Sequence, residues 1–202
     1  MAFGFVLVGG RSSRMGRDKA QLPYRGRPMA LYQAEKLSLV CGRVALVGKD
    51  PSAFEGSPFV FVDDKAEPAA AAFGLVAALS YSPEETNLIL AADMPRCSEA
   101  FLHALLDVAE AIPAPAIVPV SGGHPQPLCA VWRKSALVPL IGRLAAGSYG
   151  LVEALTALGA VLIPEADTAA LPGGDPENFF NVNTPEDYEA LESDAPSQSR
   201  RP

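Results

Sequence analysis

Cysteine and histidine are scarce in this chain, with three of the first and two of the second among 202 residues. Cys41, Cys97 and Cys129 are odd in number, lie far apart in the sequence and form no C-x-x-C pair, and no histidine cluster accompanies them. A disulfide framework and the common zinc spacings are thereby excluded, and the thiols are expected to be buried small hydrophobes in a reduced cytoplasm. Long apolar runs are also lacking. The N-terminal "MAFGFVLVGG" has no basic flank and is too short for a signal peptide or a membrane span, so a cytoplasmic location without a membrane partner is expected. Positive charge is in deficit as well: 16 Lys and Arg stand against 23 Asp and Glu, for a net charge of -7. Such a field repels polyanions, which argues against a nucleic-acid partner.

What is present is enough apolar sequence, 49% of the chain, to bury a substantial core. One domain over 1–192 is expected, followed by a tail at 193–202 whose "SDAPSQSRRP" composition is that of a disordered segment. Short apolar runs bounded by turn residues recur at Phe3 to Val8, Arg43 to Gly48, Phe59 to Val62, Asn87 to Ala92 and Ala116 to Val120, and read as strands buried on both faces. Helical spacing falls between and after them, at Pro28 to Val40, Pro68 to Ser82, Ser98 to Ala111, Lys134 to Ala145, Tyr149 to Leu158 and Pro185 to Leu191. Ser98 and Thr184 stand where N-caps belong. The alternation predicts an α/β fold around a mainly parallel sheet.

The scarce positive charge is unevenly spread. Arg11, Arg14, Arg17, Lys19, Arg25 and Arg27, six of the sixteen basic residues, fall between Leu7 and Pro28 with Asp18 as the only acid. This stretch follows the first strand and so belongs at the carboxyl edge of the sheet, where open α/β folds bind ligands. Gly9 and Gly10 allow close backbone approach, Ser12 and Ser13 add hydroxyl donors, and Arg14 and Lys19 complete an anion nest suited to a polyphosphate. Neither a Walker A loop nor G-x-G-x-x-G is present. On spacing alone, a phosphate site and a solvated, glycine-softened loop are evenly matched.

"VGGRSSRMGRDKAQLPYRGRP" resembles the signature loop of the molybdenum cofactor guanylyltransferases, L-x-G-G-x-S-x-R-M-G-x-D-K followed by a leucine-rich turn and G-x-P. The resemblance implies a three-layer, Rossmann-like nucleotidyltransferase fold of the nucleotide-diphospho-sugar transferase type and a bound nucleoside triphosphate. It places Gly9 and Gly10 beside base and ribose, with Arg14 near the phosphates and Lys19 touching them. In "LAADMPRCS", Asp93 by itself reads as a turn residue or a Mg²⁺ ligand; the family's aspartate two before a proline implies the metal ligand. After the third strand Asp64 matches a nucleotide-contacting aspartate, with Asp63 as the alternative, although the family's G-P-L-x-G is reduced here to "FGLVAAL". "QPLCAVWRK" is similar to Q-P-L-x-A-x-Y, an apolar strand with Trp132 at the tyrosine. His124 in the preceding loop is read as a loop residue rather than a base. "NVNTPED" matches N-x-N-T-P-E-D; Asn181 and Asn183 would then face a pterin or a phosphate while Val182 faces the core.

The activity so implied is transfer of GMP from Mg·GTP to the phosphate of molybdopterin or Mo-molybdopterin, with release of pyrophosphate. Arg14, Lys19 and Asp93 would be catalytic and Mg²⁺ the cofactor, while molybdoenzymes or cofactor-delivery proteins would be downstream partners. The Gly9-Gly10 pair favours GTP over CTP. A molybdopterin cytidylyltransferase, a sugar-phosphate nucleotidyltransferase and a non-catalytic nucleotide or pterin carrier remain as alternatives.

Overall fold

The computed structural model describes residues 1–9, 19–64 and 70–193. Strand β1 (Phe3–Leu7) is buried along its whole length, as its uninterrupted apolar sequence requires. It pairs in parallel with β4 (Arg43–Gly48) on one side and with β6 (Thr86–Ala91) on the other, and β5 (Val60–Asp63) extends the sheet beyond β4. Past β6 lies β9 (Cys129–Arg133), the antiparallel member; next come β7 (Ala116–Ser121) and β10 (Val161–Ile163), parallel to each other. The order is β10-β7-β9-β6-β1-β4-β5, with the short β8 (His124–Pro125) paired to β7. Mainly parallel strands wound in both directions from β1 form the expected sheet.

Side chains alternate along β1 and feed two cores. Val6 and Val8 join Leu46, Leu88 and Leu90 beneath α1 (Met29–Ser38) and α3 (Glu99–Ala111). Phe3, Phe5 and Leu7 join Ala45, Val47, Ile89 and Trp132 beneath α2 (Ala71–Tyr81), α4 (Leu137–Ala145) and α5 (Leu151–Leu158). Trp132 is fully buried, and its indole N–H donates to the Pro127 carbonyl at 2.9 Å, satisfying its one polar atom. All three cysteines are free and buried, with 3.7 Å between the sulfurs of Cys97 and Cys129.

Several elements were not anticipated. The hairpin β2 (Pro23–Tyr24) and β3 (Arg27–Pro28) turns through Arg25 and Gly26, both at positive φ (50° and 83°), in the two-residue geometry that matches strand twist. Arg25 tolerates this conformation while its guanidinium stacks over Tyr24 and Tyr32. The other additions are β8, β10 and α6 (Glu165–Ala170). All are too short for their hydrophobic period to be read. The last helix, α7 (Pro185–Ser193), starts at the expected place and packs Leu191 with Leu22, Tyr24, Met29 and Val182, closing a third cluster over the hairpin. Of the expected tail at 193–202, Ser193 ends α7 and the rest lies outside the described residues.

Candidate active site

β1 and β6 finish side by side: Leu7 is in register with Ala91, and the Ala92 N–H donates to the Leu7 carbonyl at 3.1 Å. From this pair the sheet is built outward to opposite sides, through β4 and β5 on one and β9 on the other. Such a switch point leaves a crevice at the carboxyl ends of the strands. Three segments remote in sequence meet there. Lys19, opening a 3₁₀ turn (Lys19–Gln21), places Nζ 2.6 Å from Asn183 Oδ1 and 3.8 Å from Asp93 Oδ2. The Asp93 carbonyl accepts the Val182 N–H at 2.9 Å, which docks the Asn181 to Asn183 segment against the turn that follows β6.

The electrostatics of Asp93 are those of a carboxylate poorly solvated yet reachable, its side chain 27% exposed. Burial pushes its pKa above the usual 3.8, and the neighbouring Lys19 ammonium pulls in the opposite direction. Mg²⁺ takes one or two carboxylates and fills its shell with phosphate oxygens and waters. Asp93 fits the first requirement. Among the described residues no group of three or more His, Cys, Asp and Glu gathers.

Asn183 is held from behind. The Asp187 carboxylate accepts the N–H groups of Asn183 and Thr184, both at 2.8 Å, while the Thr184 hydroxyl accepts the Asp187 N–H at 3.2 Å. This is a capping box on α7, and the Asn183 N–H is the main reason the Asp187 pKa is lowered. Asn181 differs from Asn183 in its partner: its amide donates to the Phe179 carbonyl at 2.8 Å. Val182 between them is fully buried.

At the other flank of the crevice, Asp63 is exposed at the end of β5, whereas Asp64 is partly buried and turned under α2. A Cβ placed on Gly74 would meet Asp64 Oδ2 at 3.3 Å and the Leu7 methyls at 3.7 and 3.8 Å, so this carboxylate lies against α2 at Gly74. Gly9 is exposed, and a Cβ there would meet no atom of the described residues within 4 Å. Gly10, Ser12, Ser13 and Arg14 lie outside the described residues. His124 is exposed on β8, and His103 is exposed on α3.

The sequence reading passed over Asp187, Gln33 and Lys36. The first was detectable from T-P-E-D, a capping-box pattern. The others were detectable from α1 itself, where Gln33 interrupts the buried stripe of Ala30, Ala34 and Leu37 and Lys36 lies one turn on. Both side chains are buried and bonded to the stretch that follows Asp93.

The model of the MobA-like NTP transferase domain matches residues 4–162. The chain belongs to this family. Its mixed sheet with helices on both faces is the nucleotide-diphospho-sugar transferase fold of the nucleotidyltransferases. A protein of Chloroflexus aggregans named "Probable molybdenum cofactor guanylyltransferase" is 35% identical over 199 residues, covering 96% of this chain and 94% of that protein. The molybdenum cofactor guanylyltransferase of Syntrophotalea carbinolica is 26% identical, covering 97% and 94%. Among solved structures, molybdopterin-guanine dinucleotide biosynthesis protein A of Archaeoglobus fulgidus superposes with a TM-score of 0.81 at 26% identity, covering 96% of this chain and 97% of that one. No helix among the described residues is long and apolar enough to cross a membrane.

Proposed function

We propose that this MobA-like NTP transferase, acting as a single domain over 1–192 in the cytoplasm, transfers GMP from GTP to the terminal phosphate of molybdopterin. The observation that carries this reading is the convergence of Lys19, Asp93 and Asn183 where β1 and β6 end. An oxygen of the molybdopterin phosphate attacks the α-phosphorus in line; the new P–O bond forms as the bond to the β-phosphate oxygen breaks, and pyrophosphate carries away the electron pair. Such a displacement asks for positioning and charge neutralisation rather than a covalent nucleophile.

Lys19 and Arg14 neutralise the phosphates, and Ser12 and Ser13 donate to them. Gly9 and Gly10 lie along the base and ribose, with Asp64 at the far wall of the nucleotide site. Asn183, bonded to Lys19, orients that ammonium between nucleotide and acceptor, and Asn181 borders the pterin side. Asp93 would hold Mg²⁺, which supplies Lewis-acid neutralisation of the phosphate oxygens when bound.

The test is incubation of the protein with Mg²⁺, molybdopterin and each nucleoside triphosphate in turn, followed by identification of the dinucleotide and of pyrophosphate. Molybdopterin guanine dinucleotide with stoichiometric pyrophosphate is expected. A cytidine dinucleotide would move the chain to cytidylyl transfer, and binding without pyrophosphate would make it a carrier.

A further inference from the structure

Asp93 sits at the start of a stretch, Asp93 to Ser98, that is neither strand nor helix. Pro95 within it has no N–H to contribute to a ladder. A carboxylate that must meet a hard cation and a phosphate has to be held to within about 0.5 Å, so this stretch needs support from outside itself. α1 supplies it. Gln33, fully buried, donates Nε2 to the Met94 carbonyl. Lys36, 7% exposed, donates Nζ to the carbonyls of Pro95 at 2.9 Å and Cys97 at 2.6 Å, and to Gln33 Oε1 at 2.8 Å. The ammonium thereby has three oxygen partners for its three N–H groups, and it also faces the Tyr32 ring at 4.8 Å from the centroid. On the opposite side, the Asp93 carbonyl is held by Val182.

Burying an ammonium is costly, and an apolar side chain of similar length would fill the same space more cheaply. Packing alone therefore does not account for a lysine here; three carbonyl oxygens converging on its ammonium do. We infer that Lys36, together with Gln33, is a positioning residue of the transfer reaction, clamping the backbone of Met94 to Cys97 so that the Asp93 carboxylate stays aimed at the crevice beside Lys19 and Asn183. The kinetic part of this inference rests on the guanylyl-transfer reading; the mechanical part does not.

Two measurements on Lys36→Met separate these parts. In ligand-free protein, amide hydrogen exchange of the peptide covering Asp93 to Ser98 is expected to accelerate, while β1 and β6 keep their protection. In the transfer assay, kcat is expected to fall roughly 10–100-fold, the range for residues that orient a metal-binding group. KM for the nucleotide should change less than about threefold, because the loss falls on the transition state rather than on ground-state binding. Lys36→Arg, which keeps the charge and the donors, should recover part of kcat. Unchanged exchange at Asp93 to Ser98, an unchanged kcat, or a uniform loss of protection with kcat and KM moving together would each overturn the inference. If Lys36→Met does not fold, Gln33→Leu, which removes the bond to Met94, is read by the same two measurements. If the wild-type protein transfers no nucleotide, the exchange result still decides whether α1 holds the loop, and the failure belongs to the proposed activity.

Discussion

Lys19 illustrates how one side chain connects the parts of the crevice, since its ammonium is shared between Asn183 and Asp93. Lys19→Ala removes a preorganised cationic donor without touching the core. Turnover is expected to drop about 10²- to 10³-fold with an unchanged circular dichroism spectrum. Near-normal turnover would remove Lys19 from the machinery.

Asp93 makes the opposite trade. Burial raises its folded pKa above 3.8, so the folded state holds the proton more tightly than the unfolded chain. The stability this contributes is full below pH 3.8 and is lost as pH rises through the raised value. At pH 7, without metal or nucleotide, the carboxylate is therefore a burden. Asp93→Asn should raise apo stability by about 0.5–1 kcal/mol, as relief of functional-site strain commonly does, while weakening Mg²⁺-dependent turnover more than nucleotide binding. Thermal melts at pH 7 and pH 3 check the sign: the gain should disappear at the lower pH. Gly9→Ala probes base choice, because the added methyl meets no atom of the described residues within 4 Å. It should lower GTP use and spare CTP use, by roughly 1–3 kcal/mol of discrimination at most; competition between the two nucleotides measures it.

The N-terminus of α7 has two tasks, starting a helix and presenting Asn183 to Lys19. Asp187 serves both through its bonds to two backbone N–H groups. Asp187→Ala should cost about 1 kcal/mol, the usual worth of a helix cap. For a chain of this size that lowers Tm by about 2–4 °C. Its folded pKa is lowered, so its contribution is present above the unfolded value of 3.8 and is lost as pH falls through the folded one. The difference in Tm between wild type and variant should therefore be constant from pH 7 to pH 5 and shrink toward pH 3. A difference that persists at low pH would mean that packing, not the carboxylate, was lost.

The long elements were legible, because β1, β4 and β6 are apolar on both faces and Ser98 and Thr184 announce their helices. Ser98 does accept the Phe101 N–H. The hairpin, β8 and β10 were not legible, since strands of two or three residues carry no period of their own and exist only where a neighbour offers backbone partners.

For the molecule as a whole, binding at the crevice is linked to stability. GTP with Mg²⁺ at about 100 times its Kd should stabilise the fold by about 2.7 kcal/mol. This corresponds to a rise in Tm of roughly 5–10 °C for a domain of this size. CTP at the same concentration should give less. A thermal shift series decides it, and no response to GTP would argue against a nucleotide site in the crevice.

The amino-acid sequence by itself determined the alternation of strands and helices, the burial of the cysteines and membership of the family. Each of these is written in local runs: apolar blocks, cap residues and the motifs around Gly9, Asp93 and Asn183. Tertiary structure alone decided that Asn183 rather than Asn181 meets Lys19, that Asp64 rather than Asp63 packs against α2, and that Gln33 and Lys36 grip the loop after Asp93. These outcomes depend on which way a side chain turns across elements that are distant in the chain. That direction is set by the partners that packing of distant elements brings within reach of each side chain, a three-dimensional constraint that no local run of residues encodes.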